Sequence, residues 1–166
     1  YKAMKNAYAG HLKYSFQLRP HTVADQAYIG AYQGIGVGYF NFGNPEELGN
    51  PLAVYLFQGG RIAQFSPRIS LNYEWNFGAS FGWKPYDEYD NPENQIIGSK
   101  VNAYLNVNLY LKWALSPKFD LMIGATGSHF SNGNTQYPNS GLNTVDCKVG
   151  LVYNFNRRAD ELAQSW

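Results

Sequence analysis

Apolar and polar side chains alternate over residues 101–115. Val101, Ala103, Leu105, Val107, Leu109, Leu111, Trp113 and Leu115 hold the odd positions, against Asn102, Tyr104, Asn106, Asn108, Tyr110, Lys112 and Ala114. Residues 69–83 repeat the pattern, with Ile69, Leu71, Tyr73, Trp75, Phe77, Ala79, Phe81 and Trp83 against Ser70, Asn72, Glu74, Asn76, Gly78, Ser80 and Gly82. A two-residue period gives each set its own face of a β-strand, and no helix keeps it on one coherent side. Both runs exceed the about 9–11 tilted residues with which a strand crosses a bilayer. The same reading predicts further strands at residues 11–19, 34–42, 52–64, 120–131 and 142–155, seven in all.

The connections fall into two classes. Short Ser-Pro turns at Ser66-Pro67 and Ser116-Pro117-Lys118 alternate with long segments at residues 41–51 and 84–100. Outer-membrane barrels have this asymmetry, with short periplasmic turns and long outer loops. The connection at residues 20–30 is longer than a periplasmic turn and fits the scheme less well. The predicted fold is an all-β, antiparallel transmembrane β-barrel over residues 1–155, followed by a polar tail at 156–166. Single-chain bacterial barrels have an even strand count. Seven visible strands therefore predict either an eighth before Tyr1, in a mature, processed or truncated chain that starts without a signal peptide, or one more strand hidden in the pattern; the first is the favoured expectation.

Composition separates this reading from a water-soluble ligand-binding barrel, which also alternates. Charged residues make up only 15% of the 166, and aromatic residues 17%, where soluble domains carry about a quarter charged residues. The polar face is mostly Asn, Ser, Gly and Tyr, which suits a narrow hydrogen-bonded lumen rather than a water-facing exterior. Trp83, Trp113, Tyr153 and Phe155, at apolar-face strand ends, resemble interfacial girdles. A mean hydropathy of −0.40 does not oppose this, because outward and inward residues cancel in an average. A net charge of +1 leaves no electrostatic footprint for nucleic acid. A single cysteine, Cys147, excludes an internal disulfide framework and reads as a small lipid-facing hydrophobe.

The same parity applied to the last hairpin isolates a chemical feature. Phe119, Leu121, Ile123, Ala125 and Gly127 define the outward side, and continuing the count puts His129 and Ser131 there too. On the return strand Asn143 shares the outward parity of Val145, Cys147, Val149 and Leu151. Polar groups on a lipid face are unfavourable, although the penalty fades near the interface. An imidazole beside a hydroxyl is the pair that makes serine nucleophilic. Residues i and i+2 of a strand share a face about 6–7 Å apart. If the hairpin pairs symmetrically about Tyr137, Asn143 lies opposite Ser131 and diagonal to His129, within side-chain reach. The short turn at Pro117 places this patch at the outer end of the barrel, level with a lipopolysaccharide leaflet. The plainer reading is that His129 and Ser131 cap a strand end and do no chemistry.

The stretch Ser128-His129-Phe130-Ser131-Asn132-Gly133-Asn134, followed by Pro138-Asn139-Ser140-Gly141-Leu142-Asn143, resembles the PagL-type lipid A 3-O-deacylases, acyloxyacyl-hydrolysing outer-membrane barrels. The resemblance implies an eight-stranded barrel in the cell outer membrane with a Ser-His-acid triad on its outer face, acting on lipid A of lipopolysaccharide. By position it assigns Ser131 as nucleophile, His129 as base, and Asn132 with the Gly133 backbone as oxyanion hole. Asn143 stands where the family carries Glu. An amide orients an imidazole but does not stabilise imidazolium by charge, so the alternatives are a Ser-His-Asn enzyme or a branch with lost or altered activity. Asp146 has the wrong parity to substitute. The implied machinery calls for no cofactor or metal, and the oligomeric state is open between monomer and homodimer. The rival function is a non-catalytic outer-membrane barrel with a structural or lipid-binding role.

Other candidates carry less. Gly34-x-Gly36-x-Gly38 is no phosphate loop, because it lies inside a strand with no helix after it. Small residues facing a crowded lumen account for it. Asp87, Glu88, Asp90 and Glu93 read as solvated loop surface; the alternative, a divalent cation bridging to lipopolysaccharide phosphates, carries less because the spaced ligands of a calcium loop are missing. His11 and His21 lack metal-ligand spacing. Glu74 points to the lumen, where pairing with Lys or Arg of a neighbouring strand is expected.

Overall fold

The computed structural model describes residues 8–17, 31–43, 48–83, 87–89, 91, 101–131 and 142–155. They form β1 (Tyr8–Gln17), β2 (Tyr32–Asn41), β3 (Gly49–Gln64), β4 (Ile69–Trp83), β5 (Val101–Ala114), β6 (Phe119–Ser131) and β7 (Leu142–Tyr153). Each strand pairs antiparallel with the next, in the order β1 to β7. The sheet curls into a half-barrel, consistent with the predicted β-barrel, and its seven strands match the seven that the alternation predicts. The connections at 20–30 and 132–141, and the tail at 156–166, lie outside the described residues.

The two faces are inverted relative to a soluble protein. Leu12, Leu56, Phe77, Val107, Ile123 and Val149 are exposed on the convex side, while Asn72, Glu74, Asn76, Asn106 and Asn108 are buried on the concave side. Apolar residues outward and polar residues inward are what a lipid surround selects. Trp113, Tyr153 and Phe155 join the convex apolar face, as expected, and Cys147 is exposed there.

Trp83 departs from expectation. It is buried in the lumen, not set in an outer girdle. Gly82 has φ of +86°, a left-handed conformation that breaks the alternation one residue early and turns the indole inward. There Nε1–H of Trp83 donates to Ser80 Oγ at 2.8 Å, and the indole stacks on Phe42 at 5.4 Å.

The short turns are built alike. In the first, Ser66 Oγ accepts from the backbone N–H of Arg68 (3.3 Å) and Ile69 (3.1 Å). In the second, Ser116 Oγ accepts from Lys118 (3.2 Å) and Phe119 (3.1 Å). Serine side chains mimic a backbone turn in this way, which closes both hairpins tightly at one end of the barrel.

The lumen is layered. Toward the long-connection end, Phe40, Phe42, Leu48, Tyr55, Phe57, Trp83, Tyr104, Phe130 and Leu142 form a buried cluster. Gly36 makes room for it, since a Cβ there would lie 2.5 Å from the Tyr55 ring. Below runs an amide layer, where Nδ2 of Asn76 and of Asn108 donate to Asn106 Oδ1, both at 2.6 Å. Deeper still, Glu74 accepts from Tyr32 Oη at 3.0 Å and pairs with Lys13 and, at 3.8 Å, with Lys148. Those lysines belong to β1 and β7 and reach across the lumen; the expected partner on a neighbouring strand is not the one found.

Candidate active site on the outward face of β6 and β7

Strand parity delivers His129 and Ser131 to the convex face at the end of β6 away from the Ser-Pro turns. The register is tighter than a hairpin centred on Tyr137 would give. His129 lies directly opposite Asn143, and Phe130 opposite Leu142, so the pairing is centred one residue earlier. Asn143 is therefore the cross-strand neighbour of His129, not of Ser131. Ser131 lies beside Ala103 of β5, and Leu105 flanks His129 on that side.

The register has a chemical result. His129 Nδ1 and Asn143 Oδ1 are 2.6 Å apart. An amide oxygen only accepts, so Nδ1–H is the donor, and in the neutral imidazole Nε2 is then the acceptor. Ser131 shares this face, two residues along. Among the described residues it makes no hydrogen bond to His129. Asn132 and Gly133, assigned to the oxyanion hole by resemblance, lie outside the described residues.

The surroundings are apolar and open outward. Val145, the next outward residue of β7, is 85% exposed, and Val107 of β5 is 65% exposed. Gly127, between them on β6, presents no side chain. The polar pair stands in this apolar field on the convex face, near the end of β6 and the start of β7. Asp146 lies opposite Thr126, on the lumenal face, so it does not approach His129 from the lipid side.

The remaining candidates sit apart. His11 faces the lumen, with Nδ1 2.7 Å from Tyr55 Oη. Asp87 Oδ1 accepts from the Tyr89 backbone N–H at 2.8 Å, while Asp90, Glu93 and His21 lie outside the described residues. No group of three or more His, Cys, Asp or Glu is placed to hold a metal ion among the described residues. Phe130, between His129 and Ser131, was not singled out from the sequence. The available signal was a bulky aromatic following the small residues Gly124, Thr126 and Ser128 on the same face of β6.

The chain matches a family model described as Lipid A 3-O-deacylase (PagL) over residues 1–152. No curated protein and no solved structure matches it. The match covers β1 to β6, all but the last residue of β7, and the His129–Asn143 pair. The chain therefore belongs to the lipid A 3-O-deacylase family of outer-membrane β-barrel hydrolases.

Proposed function

We propose that the chain removes an ester-linked acyl chain from lipid A in the outer leaflet, with Ser131 as nucleophile, His129 as general base and Asn143 orienting His129. The observation that carries this reading is the 2.6 Å hydrogen bond between His129 Nδ1 and Asn143 Oδ1 on the lipid-facing wall. It selects the tautomer whose Nε2 accepts a proton. In the reaction, Nε2 takes the Ser131 hydroxyl proton as Oγ attacks the ester carbonyl. Asn132 and the Gly133 backbone stabilise the tetrahedral oxyanion. Collapse expels the sugar oxygen, which takes the proton from His129, and leaves an acyl-Ser131 ester. Water, deprotonated by His129, then releases the fatty acid and restores Ser131.

The sideways-facing site suits a substrate whose acyl chains lie in the membrane. Lipid A in the outer leaflet is such a substrate, and the short Ser-Pro turns at the other end of the strands support an outward-facing site, since short turns are periplasmic in such barrels. One observation favours a second reading. Asn143 is neutral, and a barrel that holds lipid A without cleaving it needs no charge at that position.

The test is mass spectrometry of lipid A incubated with detergent-purified protein, wild type beside Ser131→Ala. Loss of one hydroxyacyl chain with wild type alone is expected. Equal loss with Ser131→Ala removes Ser131 from the mechanism, and no loss with a folded wild-type barrel favours the non-catalytic reading.

A further inference from the structure

The outward surface does little to hold His129 and Asn143 together. Gly127 has no side chain, Val145 is 85% exposed, and Leu105 is 44% exposed. The restraint comes from the other side of the wall. Phe130 is fully buried in the lumen, and its two chain neighbours, His129 and Ser131, are the outward site residues. Its ring meets Phe40 and Trp83 at 5.0 Å, Tyr104 at 5.1 Å and Phe42 at 5.6 Å between centroids. Its cross-strand partner Leu142, which precedes Asn143, is buried in the same cluster.

The cluster is itself anchored. The Trp83 indole donates to Ser80 Oγ, which in turn donates to the Asn102 carbonyl at 2.8 Å. Phe130 is thus gripped by rings from β2, from the residue just after it, from β4 and from β5. Inward and outward residues alternate on one backbone, so a shift of the inward pair Phe130–Leu142 carries the outward pair His129–Asn143 with it.

Resting on the esterase reading for its catalytic meaning, we propose that Phe130 is a positioning residue. Its ring, held in the lumenal aromatic cluster, fixes the β6–β7 register that sets the His129 imidazole against Asn143 and beside Ser131. Phe130 touches no substrate. Misplacing reacting groups by about 1 Å costs on the order of 10²-fold in rate, so its removal acts on turnover and leaves lipid binding largely intact.

The test compares Phe130→Ala, Phe130→Leu and Phe57→Ala in folded, detergent-purified full-length protein. Phe57 belongs to the same buried cluster but flanks no site residue, so its removal controls for lost packing. Two readouts are taken: the hydrogen-bonded Nδ1–H resonance of His129 in ¹⁵N-histidine-labelled protein, assigned by its absence in His129→Gln, and kcat and KM on lipid A. Phe130→Ala is expected to lose the resonance and at least about tenfold in kcat, with KM changed by less than about twofold. Phe130→Leu, which refills the cluster, restores both, and Phe57→Ala keeps both. An unchanged resonance in Phe130→Ala, or equal losses in Phe57→Ala, overturns the proposal. Should Phe130→Ala not fold, Leu142→Ala removes the other half of the inward pair, and an unchanged resonance there overturns it equally. A resonance that responds to Phe130→Ala in a protein without hydrolytic activity upholds the positioning role and counts against the esterase reading alone.

Discussion

Asn143 is the residue on which the proposed chemistry turns. Its Oδ1 accepts from Nδ1–H of His129 at 2.6 Å, and on the esterase reading it brings no negative charge to the imidazolium formed as Ser131 is deprotonated. The corresponding Asp-to-Asn exchange in a serine-protease triad costs about 10⁴ in kcat. Asn143→Glu is therefore expected to raise kcat by about tenfold or more, because a carboxylate at the same cross-strand position keeps the acceptor and adds the charge. Asn143→Ala, which frees the imidazole to rotate, is expected to lower kcat below wild type. Steady-state release of fatty acid from lipid A by the three proteins checks both directions. Equal rates for wild type and Asn143→Glu would show that charge at this position does not limit turnover.

At the scale of the strand, space decides which small residues matter. A Cβ on Gly78 would lie 2.0 Å from the Val54 carbonyl oxygen and 2.5 Å from Tyr55 Cα, so backbone would have to move. Gly78→Ala is expected to lower stability by about 1–3 kcal/mol, read as a lower urea midpoint for the folded, heat-modifiable band on gels. At Gly127 the nearest atom to an added Cβ is Thr144 O at 3.9 Å, and Gly127→Ala should change that midpoint by less than about 0.5 kcal/mol equivalent. Strand existence and facing were legible in the sequence wherever the backbone stayed regularly extended, because a period of two then puts alternate residues on opposite faces. Trp83 was not, because one glycine at φ +86° reverses parity and leaves no trace in a hydrophobicity pattern. The pairing of His129 with Asn143 was legible only to within one register step. His129 pairs with Asn143 and Phe130 with Leu142, a register that symmetry about Tyr137 does not encode.

For the whole molecule, the membrane and the lumen set opposite rules on the same strands. The convex face stays apolar, and the concave face concentrates hydrogen-bonding groups around Glu74. That carboxylate pairs with Lys13 on β1 and Lys148 on β7, so one buried charge ties the two edge strands of the described sheet to its middle. Tyr14 and Phe155 meet near the same seam with ring centroids 6.3 Å apart. Glu74→Gln leaves two cations facing each other, and breaking a buried pair costs about 3–5 kcal/mol. The loss should be at the low end, since both lysines retain some exposure, and a double change of Glu74→Gln with Lys148→Met should recover part of it in urea titration. Placing Glu74 in the lumen was a matter of parity, but its partners lie three strands away in either direction, and strand-neighbour rules do not reach that far. The most direct measurement of the central claim is mass spectrometry of lipid A from Gram-negative cells expressing wild type or Ser131→Ala, each verified as folded in the outer membrane. Lipid A is expected to lose one ester-linked acyl chain with wild type and to stay intact with Ser131→Ala. Intact lipid A with wild type, or the same loss with both proteins, would contradict a Ser131-dependent deacylase.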